Sequence, residues 1–360
     1  MNKEFVIIDP RPLEAFKDKT FSDFKKIDVI NKLFKSIEEG KVEEGCYWAT
    51  ECICSGYSIE LTEKMILISS KINHINNPKL PEYLWRRYTT FLSSYNHIGK
   101  KEKDKLIHLR NTQSVRNLIF DLVITISQSP RSKRYDKYPK VTDNDFQYST
   151  IQSNLIATMQ ILPSHLLRFT DPEELRIIMN EFLFHLKNAL GGYEKSCYWV
   201  VWLVQWEKIN KKKKIKFEIE SREISEVDPK YCKDCIWLLW EIIFYECQER
   251  SEDIKLQVQS LYRLFRHNFT SGKRGNRLPL LYNAIGYLTM PINFAEPIRV
   301  DNNILIQTQC NVNFMFKAKK NNEVTNYIPV KQKIKKMIGS EKEIALSKFN
   351  TLIDIDEMSR

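Results

Sequence analysis

Residues 192–208, GYEKSCYWVVWLVQWEK, carry three tryptophans at helical spacing. Trp199, Trp202 and Trp206 stand three and four residues apart, so in a helix they form one aromatic stripe along a single face. A large aromatic ring buries about 150–250 Å² when it packs in a core. The segment therefore predicts an α-helix that its tryptophans anchor in the interior.

Two other segments repeat this order of a charged first turn, a cysteine and a tryptophan two residues after it. They are KVEEGCYWATECICSGY from Lys41 and KYCKDCIWLLWEIIFYE from Lys230. In the second of these, Trp237, Trp240 and Phe244 again fall on one helix face. No evenly spaced further copy follows, so the pattern favours duplication of a helix pair over a regular solenoid. We expect the cysteine of each copy to be a small packing residue rather than a reactive group.

Apolar residues recur at helical spacing along most of the chain, and cap or stop signals separate the helical stretches. Helices are predicted at 21–39, 42–55, 59–72, 81–97, 112–127, 146–162, 172–190, 193–208, 230–250, 254–267 and 278–288. Two segments instead alternate polar and apolar residues, KIKFEIE at 214–220 and NILIQTQCNVNFMFK at 303–317. The second segment, a polar turn at Asn321 and Asn322, and residues 324–330 together predict a β-hairpin, with a last helix at 341–352.

The predicted fold class is mainly α: an irregular multi-helix array with repeated Cys-aromatic-Trp helices and a small C-terminal β-hairpin plus helix. With 360 residues the chain is long enough to bury a substantial core. The predicted organisation is an N-terminal arm (1–20), an N-terminal helical domain (21–128), a basic loop (129–145), a second helical domain (146–290) and a C-terminal region with the hairpin and terminal helix (291–360).

The composition indicates a globular protein with a polyanionic partner. Hydrophobic residues make up 42% of the chain, and 56 basic against 45 acidic residues give a formal net charge of +11. Such an excess favours nucleic acid or an anionic lipid surface. We predict neither secretion nor membrane spanning, because no leader pattern opens the sequence and no segment approaches about 18 uncharged apolar residues. The eight cysteines mostly lie in apolar helical patterns, as free thiols of a reducing intracellular compartment do.

Two basic segments lie between predicted helices. In SPRSKRYDKYPKV, residues 129–141, cations surround two tyrosines. Cations can contact phosphates while tyrosines stack on unpaired bases, a combination suited to single-stranded nucleic acid. The alternative is a solvated loop whose tyrosines dock on the protein body.

The second basic segment is RLFRHNFTSGKRGNR, residues 263–277. There Gly272 and Gly275 would let main-chain N–H groups approach an anion beside the start of the next helix. The predicted nucleic-acid-binding residues of the two segments are Arg131, Lys133, Arg134, Tyr135, Lys137, Tyr138, Lys140, Lys273, Arg274 and Arg277.

No motif in the sequence indicates catalysis. Cys232 and Cys235 form CKDC, which has the spacing of half a zinc site or a redox pair, but no second pair or histidine pair completes it. The six histidines are scattered singly and start no known catalytic motif. We therefore predict no catalytic residue, no metal and no cofactor, and an enzyme with a dispersed site is the third-ranked interpretation.

Two resemblances add to this interpretation. The heavy use of Lys, Ile and Asn is typical of AT-rich genomes, and the chain resembles uncharacterised proteins of large nucleocytoplasmic DNA viruses. Residues 42–72, VEEGCYWATECICSGYSIELTEKMILISSKI, resemble the collar helix pair of clamp-loader-related AAA+ recombination factors. The matching positions are Glu43, Glu44, Tyr47, Trp48, Ala49, Gly56, Ser69 and Ser70. Because the chain contains no G-x-x-x-x-G-K-[ST], this resemblance implies at most a collar-like helical scaffold without an ATPase module.

The first-ranked hypothesis is a non-catalytic helical nucleic-acid-associated accessory protein of viral replication, transcription or packaging. It would act inside the host cell, in the cytoplasm or nucleus, or in the virion. The alternative is a virion structural or assembly-scaffold protein that binds other viral or host proteins, with the C-terminal hairpin pairing with a neighbour's sheet.

Overall fold

Helices form most of the chain in the computed structural model, which describes residues 3–99, 105–132, 139–188, 191–327 and 340–344. The α-helices are α1 (Lys26–Glu38), α2 (Val42–Cys54), α3 (Ser58–Ile72), α4 (Leu80–His97), α5 (Lys105–Leu109), α6 (Gln113–Gln128), α7 (Tyr148–Asn154), α8 (Leu175–Lys187), α9 (Gly192–Lys212), α10 (Ile236–Cys247), α11 (Glu252–Arg266), α12 (Ser271–Thr289) and α13 (Asn302–Lys320). The predicted mainly helical class is confirmed.

The repeated cysteine and tryptophan helices are α2, α9 and α10, and their signature side chains lie in the core. Trp199, Trp237 and Trp240 are each 1% exposed. The rings of α10 pack edge-on against α11, where the Trp237 and Phe265 centroids are 5.7 Å apart. Trp48 of α2 is 9% exposed and meets Phe24 edge-on at 5.8 Å. The aromatic faces of these helices are therefore buried in the core, as the sequence predicts.

The predicted helix 146–162 is wrong beyond Asn154, because α8 takes up the amide groups that would continue it. Glu181 Oε1 accepts hydrogen bonds from the main-chain N–H groups of Ile156 and Ala157, at 3.1 and 2.8 Å. Asn180 Oδ1 does the same for residues 161 and 162, at 2.7 and 3.0 Å. The side chains of a neighbouring helix thus bind four main-chain N–H groups within residues 156–162, where the chain is not helical.

The predicted strand at 303–317 is also wrong, because these residues form α13. Asp301 caps the helix by accepting from the N–H of Asn303 at 2.8 Å. Every second alternating position is four residues from the next, which places these positions on one face of a helix. Thr308, Val312 and Phe316 lie on that face and are 6%, 0% and 0% exposed. Period two and period four coincide in this stretch, so the pattern by itself allowed both structures.

The other predicted strand segments form no strand where the structure describes them, at 214–220 and 324–327. Residues 214–220 belong to no strand in the described chain; Ile219 N–H instead donates to the carbonyl of Lys233 at 3.1 Å. Residues 324–327 form no regular element, and 328–330 lie outside the described residues. Of the predicted last helix, 341–344 are helical and 345–352 lie outside the described part.

One hydrophobic core runs through the described helices and includes residues from Ile7 to Phe316. Helix α2 packs against α1 and α6, α8 against α9, α3 against α12, and α4 against α11. Helices on both sides of 129–145 therefore contact each other directly. The division of the chain into domains stays a prediction.

A buried ion pair joins α13 to α2, and its carboxylate also binds the segment just before α1. Glu51 is fully buried, and its Oε2 lies 2.6 Å from the Nζ of Lys319, which is 3% exposed. The N–H of Ser22 donates to the other carboxylate oxygen at 2.6 Å. Three segments far apart in sequence thus meet at one buried carboxylate.

Candidate functional site

A surface depression lined in part by the second basic segment has two adjoining parts, here called the cleft and the trough. Together they form the groove. The cleft, of about 190 Å³, lies between α3, α4, α11 and α12. The trough, of about 660 Å³, lies between α1 and α3. Both are lined by Lys64, Leu67 and Asn276, which places them side by side. The cleft is further lined by Glu60, Glu63, Ile66, Tyr88, Leu264, His267, Lys273, Arg277 and Leu280. The trough is further lined by Asn31, Phe34, Lys35, Glu38, Glu39, Ile68 and Lys71.

The second basic segment supplies two cations to the cleft. The glycine loop expected there is wrong, because residues 271–277 form the first turns of α12, with Gly272 and Gly275 inside the helix. Lys273 and Arg277 are one turn apart and both line the cleft. Arg274 does not, since it forms ion pairs with Glu207 and Asp234 at 2.6 and 2.7 Å, at 12% side-chain exposure.

Arg277 is a buried cation in the wall of the cleft. It is 6% exposed, and its Nη1 donates to the carbonyls of Phe265 and His267 at 2.5 and 2.7 Å. These carbonyls lie at the C-terminal end of α11, where helical acceptors lack helical partners. Burial lowers the pKa of Arg277, partly opposed by the charge of Glu63. The side chain therefore caps one helix and also faces the cleft.

Two aromatic residues and a carboxylate also line the cleft. The hydroxyl of Tyr88 donates to Glu63 Oε1 at 3.3 Å, and the His267 ring stands edge-on to the Tyr88 ring with centroids 5.1 Å apart. Burial raises the pKa of Tyr88 and lowers the pKa of His267. At neutral pH the tyrosine is therefore protonated and the histidine uncharged.

Arg131, from the first basic segment, binds main-chain carbonyls of the protein. Its guanidinium donates to the carbonyls of Ile37 and Glu38 at the end of α1, and to those of residues 126, 127 and 129 at the end of α6. Burial lowers the pKa of Arg131. This geometry gives Arg131 the role of a double helix cap, which the sequence did not reveal.

Most of the first basic segment beyond Arg131 lies outside the described residues. Lys133, Arg134, Tyr135, Lys137 and Tyr138 lie outside the described residues. Lys140 is exposed. On the other side, Ser132 N–H donates to the carbonyl of Ile72 at 2.7 Å, next to Lys71 of the trough.

Of the two basic segments, the second supplies Lys273 and Arg277 to the cleft, and the first contacts α3 through Ser132, whose acceptor Ile72 follows the trough residue Lys71. The charge inside the groove is mixed: Glu60 pairs with Lys64 at 2.9 Å, and Glu39 pairs with Lys35 at 3.8 Å. The groove is thus a half-apolar channel with cations along its edge, rather than a uniformly positive surface.

The residues of α3 that line this groove were not predicted from the sequence. Glu60, Glu63, Lys64, Leu67 and Lys71 recur at spacings of three and four and share one face of α3. That face is only partly covered, which the sequence signals weakly through charged residues within an apolar helix.

Burial of most cysteine side chains disfavours formation of a reactive thiolate. Every cysteine except Cys310 is buried. Burial, which is the largest cause, raises the pKa of Cys46 and of Cys235. Among the described residues there is no group of three or more His, Cys, Asp or Glu side chains placed to hold a metal ion.

Comparison with family models, curated proteins and solved structures finds no match for this chain. No helix in the described ranges is long and apolar enough to cross a membrane.

Proposed function

We propose that this chain is a non-catalytic, helical nucleic-acid-associated accessory protein that holds a single strand along the groove. The observation that carries the proposal is the set of cationic side chains that line one half-apolar groove: Lys35, Lys64, Lys71, Lys273 and Arg277. The context we propose is viral replication, transcription or packaging. In that setting the α2–α3 helix pair would serve as a collar-like scaffold for partner proteins.

The chemistry of the groove fits a strand better than a duplex. A single strand exposes phosphates and unpaired bases together, so it uses cations and apolar walls at the same time. Lys273 and Arg277 supply charge at the cleft, and Lys35, Lys64 and Lys71 supply it along the trough. In the sequence, the stretch 133–138 contains three cations and one anion.

Binding of a labelled thymine-only oligonucleotide, followed by fluorescence anisotropy at several salt concentrations, tests this proposal. About five phosphate contacts give a log-log salt slope of about −3 to −4 for a single strand. The variant Lys133→Glu/Arg134→Glu should bind more weakly, and Lys208→Glu, an exposed site on α9, should bind as the parent does. Failure of the parent protein to bind any oligonucleotide at low salt would refute the proposal.

A second candidate is a virion structural or assembly-scaffold protein, and exposed apolar side chains favour it. Phe169 is fully exposed, and Ile306 and Phe314 on α13 are 60% and 63% exposed. Single exposed apolar residues are ordinary, but three large ones on loop and helix surfaces suit a protein contact. Native mass spectrometry separates the candidates: salt-resistant protein complexes without nucleic acid support this one.

A further inference from the structure

The residues that line the cleft are suited to binding one nucleotide, which is more specific than the phosphate contacts of the proposed function. Its walls include Leu67, Leu264 and Leu280, with the ring of Tyr88 beside them. An apolar slot bounded by a few polar groups is the usual form of a small-molecule site. The polar residues that line it from α12 include two cations, those from α3 include two carboxylates, and Asn276 lines both the cleft and the trough.

The end formed by α12 suits a phosphate. Lys273 and Arg277 lie on successive turns at the start of this helix, where the dipole also favours an anion. The first turn of α12 contains no acidic residue, and its N-cap Thr270 makes no side-chain cap hydrogen bond. Both hydrogen bonds that Arg277 makes to described residues use Nη1, which leaves Nε and Nη2 for a ligand. The Arg277 side chain is also more than nine-tenths buried.

The end formed by α3 suits a hydrogen-bond donor. Glu60 is already paired with Lys26 and Lys64 at 2.6 and 2.9 Å. Glu63 receives only the hydroxyl of Tyr88, at 3.3 Å, among the hydrogen bonds and ion pairs of the described residues. A carboxylate only accepts, and its two oxygens have about four lone-pair positions. Glu63 therefore has capacity for two more donors.

We propose that the cleft accepts one unstacked guanine nucleotide, with its phosphate at Lys273 and Arg277 and its base edge at Glu63. Guanine presents two adjacent donors on its Watson–Crick edge, N1–H and the N2 amino group, which match the two oxygens of a carboxylate. Adenine and cytosine place an acceptor beside their amino group, and thymine places carbonyls on both sides of its N–H, so each sets an acceptor against Glu63. The inference rests on the proposed function and adds base preference to it.

The test compares a thymine-only oligonucleotide with the same strand carrying one central guanine. We expect the guanine strand to bind about tenfold more tightly, within the range of a good two-bond contact to a base. Glu63→Gln should bring the ratio of the two affinities close to one, whatever its effect on binding of the thymine strand. Glu43→Gln, at an exposed position on α2, is the matched control and should keep the preference. Lys273→Gln should weaken both strands alike, because a phosphate contact does not distinguish bases.

The outcomes separate this inference from the proposed function. Equal binding of the two strands by a folded parent protein overturns the guanine site alone. If no strand binds, the proposed function is refuted, and binding of guanosine monophosphate is measured next. Binding that is lost in Glu63→Gln supports a site for the free nucleotide. Absence of binding overturns the inference. Thermal unfolding of each variant shows whether a loss arises from the site or from the fold.

Discussion

Replacing Arg131 with alanine should destabilise the fold rather than weaken nucleic-acid binding. Its guanidinium donates to five carbonyls, at distances of 2.8 Å to Ile126, 2.9 Å to Ser127 and Ser129 and 3.2 Å to Glu38, with Ile37 as the fifth acceptor. These acceptors end α1 and α6, where helices have unpaired carbonyl groups. The side chain thus joins two helix ends that are far apart in sequence.

The expected loss in free energy of unfolding is about 3 kcal/mol. A hydrogen bond that involves a charged group contributes about 1.5–3 kcal/mol net. Five such contributions do not add here, because Arg131 is only partly buried and water can reach some of the freed carbonyls. A loss of about 3 kcal/mol lowers the ratio of folded to unfolded protein more than a hundredfold.

Urea unfolding followed by tryptophan fluorescence measures this loss. Arg131→Ala should shift the midpoint to lower urea with an unchanged slope, and Lys140→Ala, an exposed neighbour, should stay within about 0.5 kcal/mol of the parent. Under conditions where it is folded, Arg131→Ala should bind the thymine strand as the parent does. A change below about 0.5 kcal/mol, or a selective loss of strand binding, would refute the cap.

Three further predictions concern buried groups. Glu51→Gln should cost about 3–5 kcal/mol at pH 7 by leaving the Lys319 ammonium buried without its partner, as urea unfolding would show. Burial opposes ionisation of Glu51, but hydrogen bonds from Lys319 and Ser22 lower its pKa, so its contribution is present above the unfolded value and should disappear as the pH falls below about 4. A thiol reagent should modify Cys310 quickly in the native protein and the seven buried cysteines only on unfolding; fast modification of a second thiol would contradict the described burial. Burial lowers the pKa of His74 from 6.5 to about 4, so stability from its neutral form is complete above 6.5 and should fall by about 2 kcal/mol between pH 7 and pH 5, a loss that should shrink in His74→Asn.

The packed helices give the basic residues of the two segments different roles. Arg274 and Arg131 turn inward to partners, whereas Lys273 and Arg277 reach the cleft. All four are basic residues of loop-like sequence with similar surroundings along the chain. Their different roles arise from which carbonyls and carboxylates the packed helices bring near them.

The sequence by itself determined the helical body and its core. Trp199, Trp202 and Trp237 follow the helical period, and a local period is sufficient because hydrogen bonds in a helix join residues four apart. Likewise, Gly56 ends α2 with a positive φ of 77°, a conformation that glycine adopts without strain.

Only the tertiary structure decided α13, the end of α7 and the roles of the arginines. The alternating pattern at 303–317 fits either period until the faces of α2 and α6 select Val312 and Phe316 for burial. Within residues 156–162, main-chain N–H groups donate to side chains of α8 instead of continuing the helix, and Arg131 binds carbonyls more than 90 positions upstream as well as nearby ones. Such contacts depend on distances between helices, and those distances are set by how the complete core packs, which no local stretch of sequence encodes.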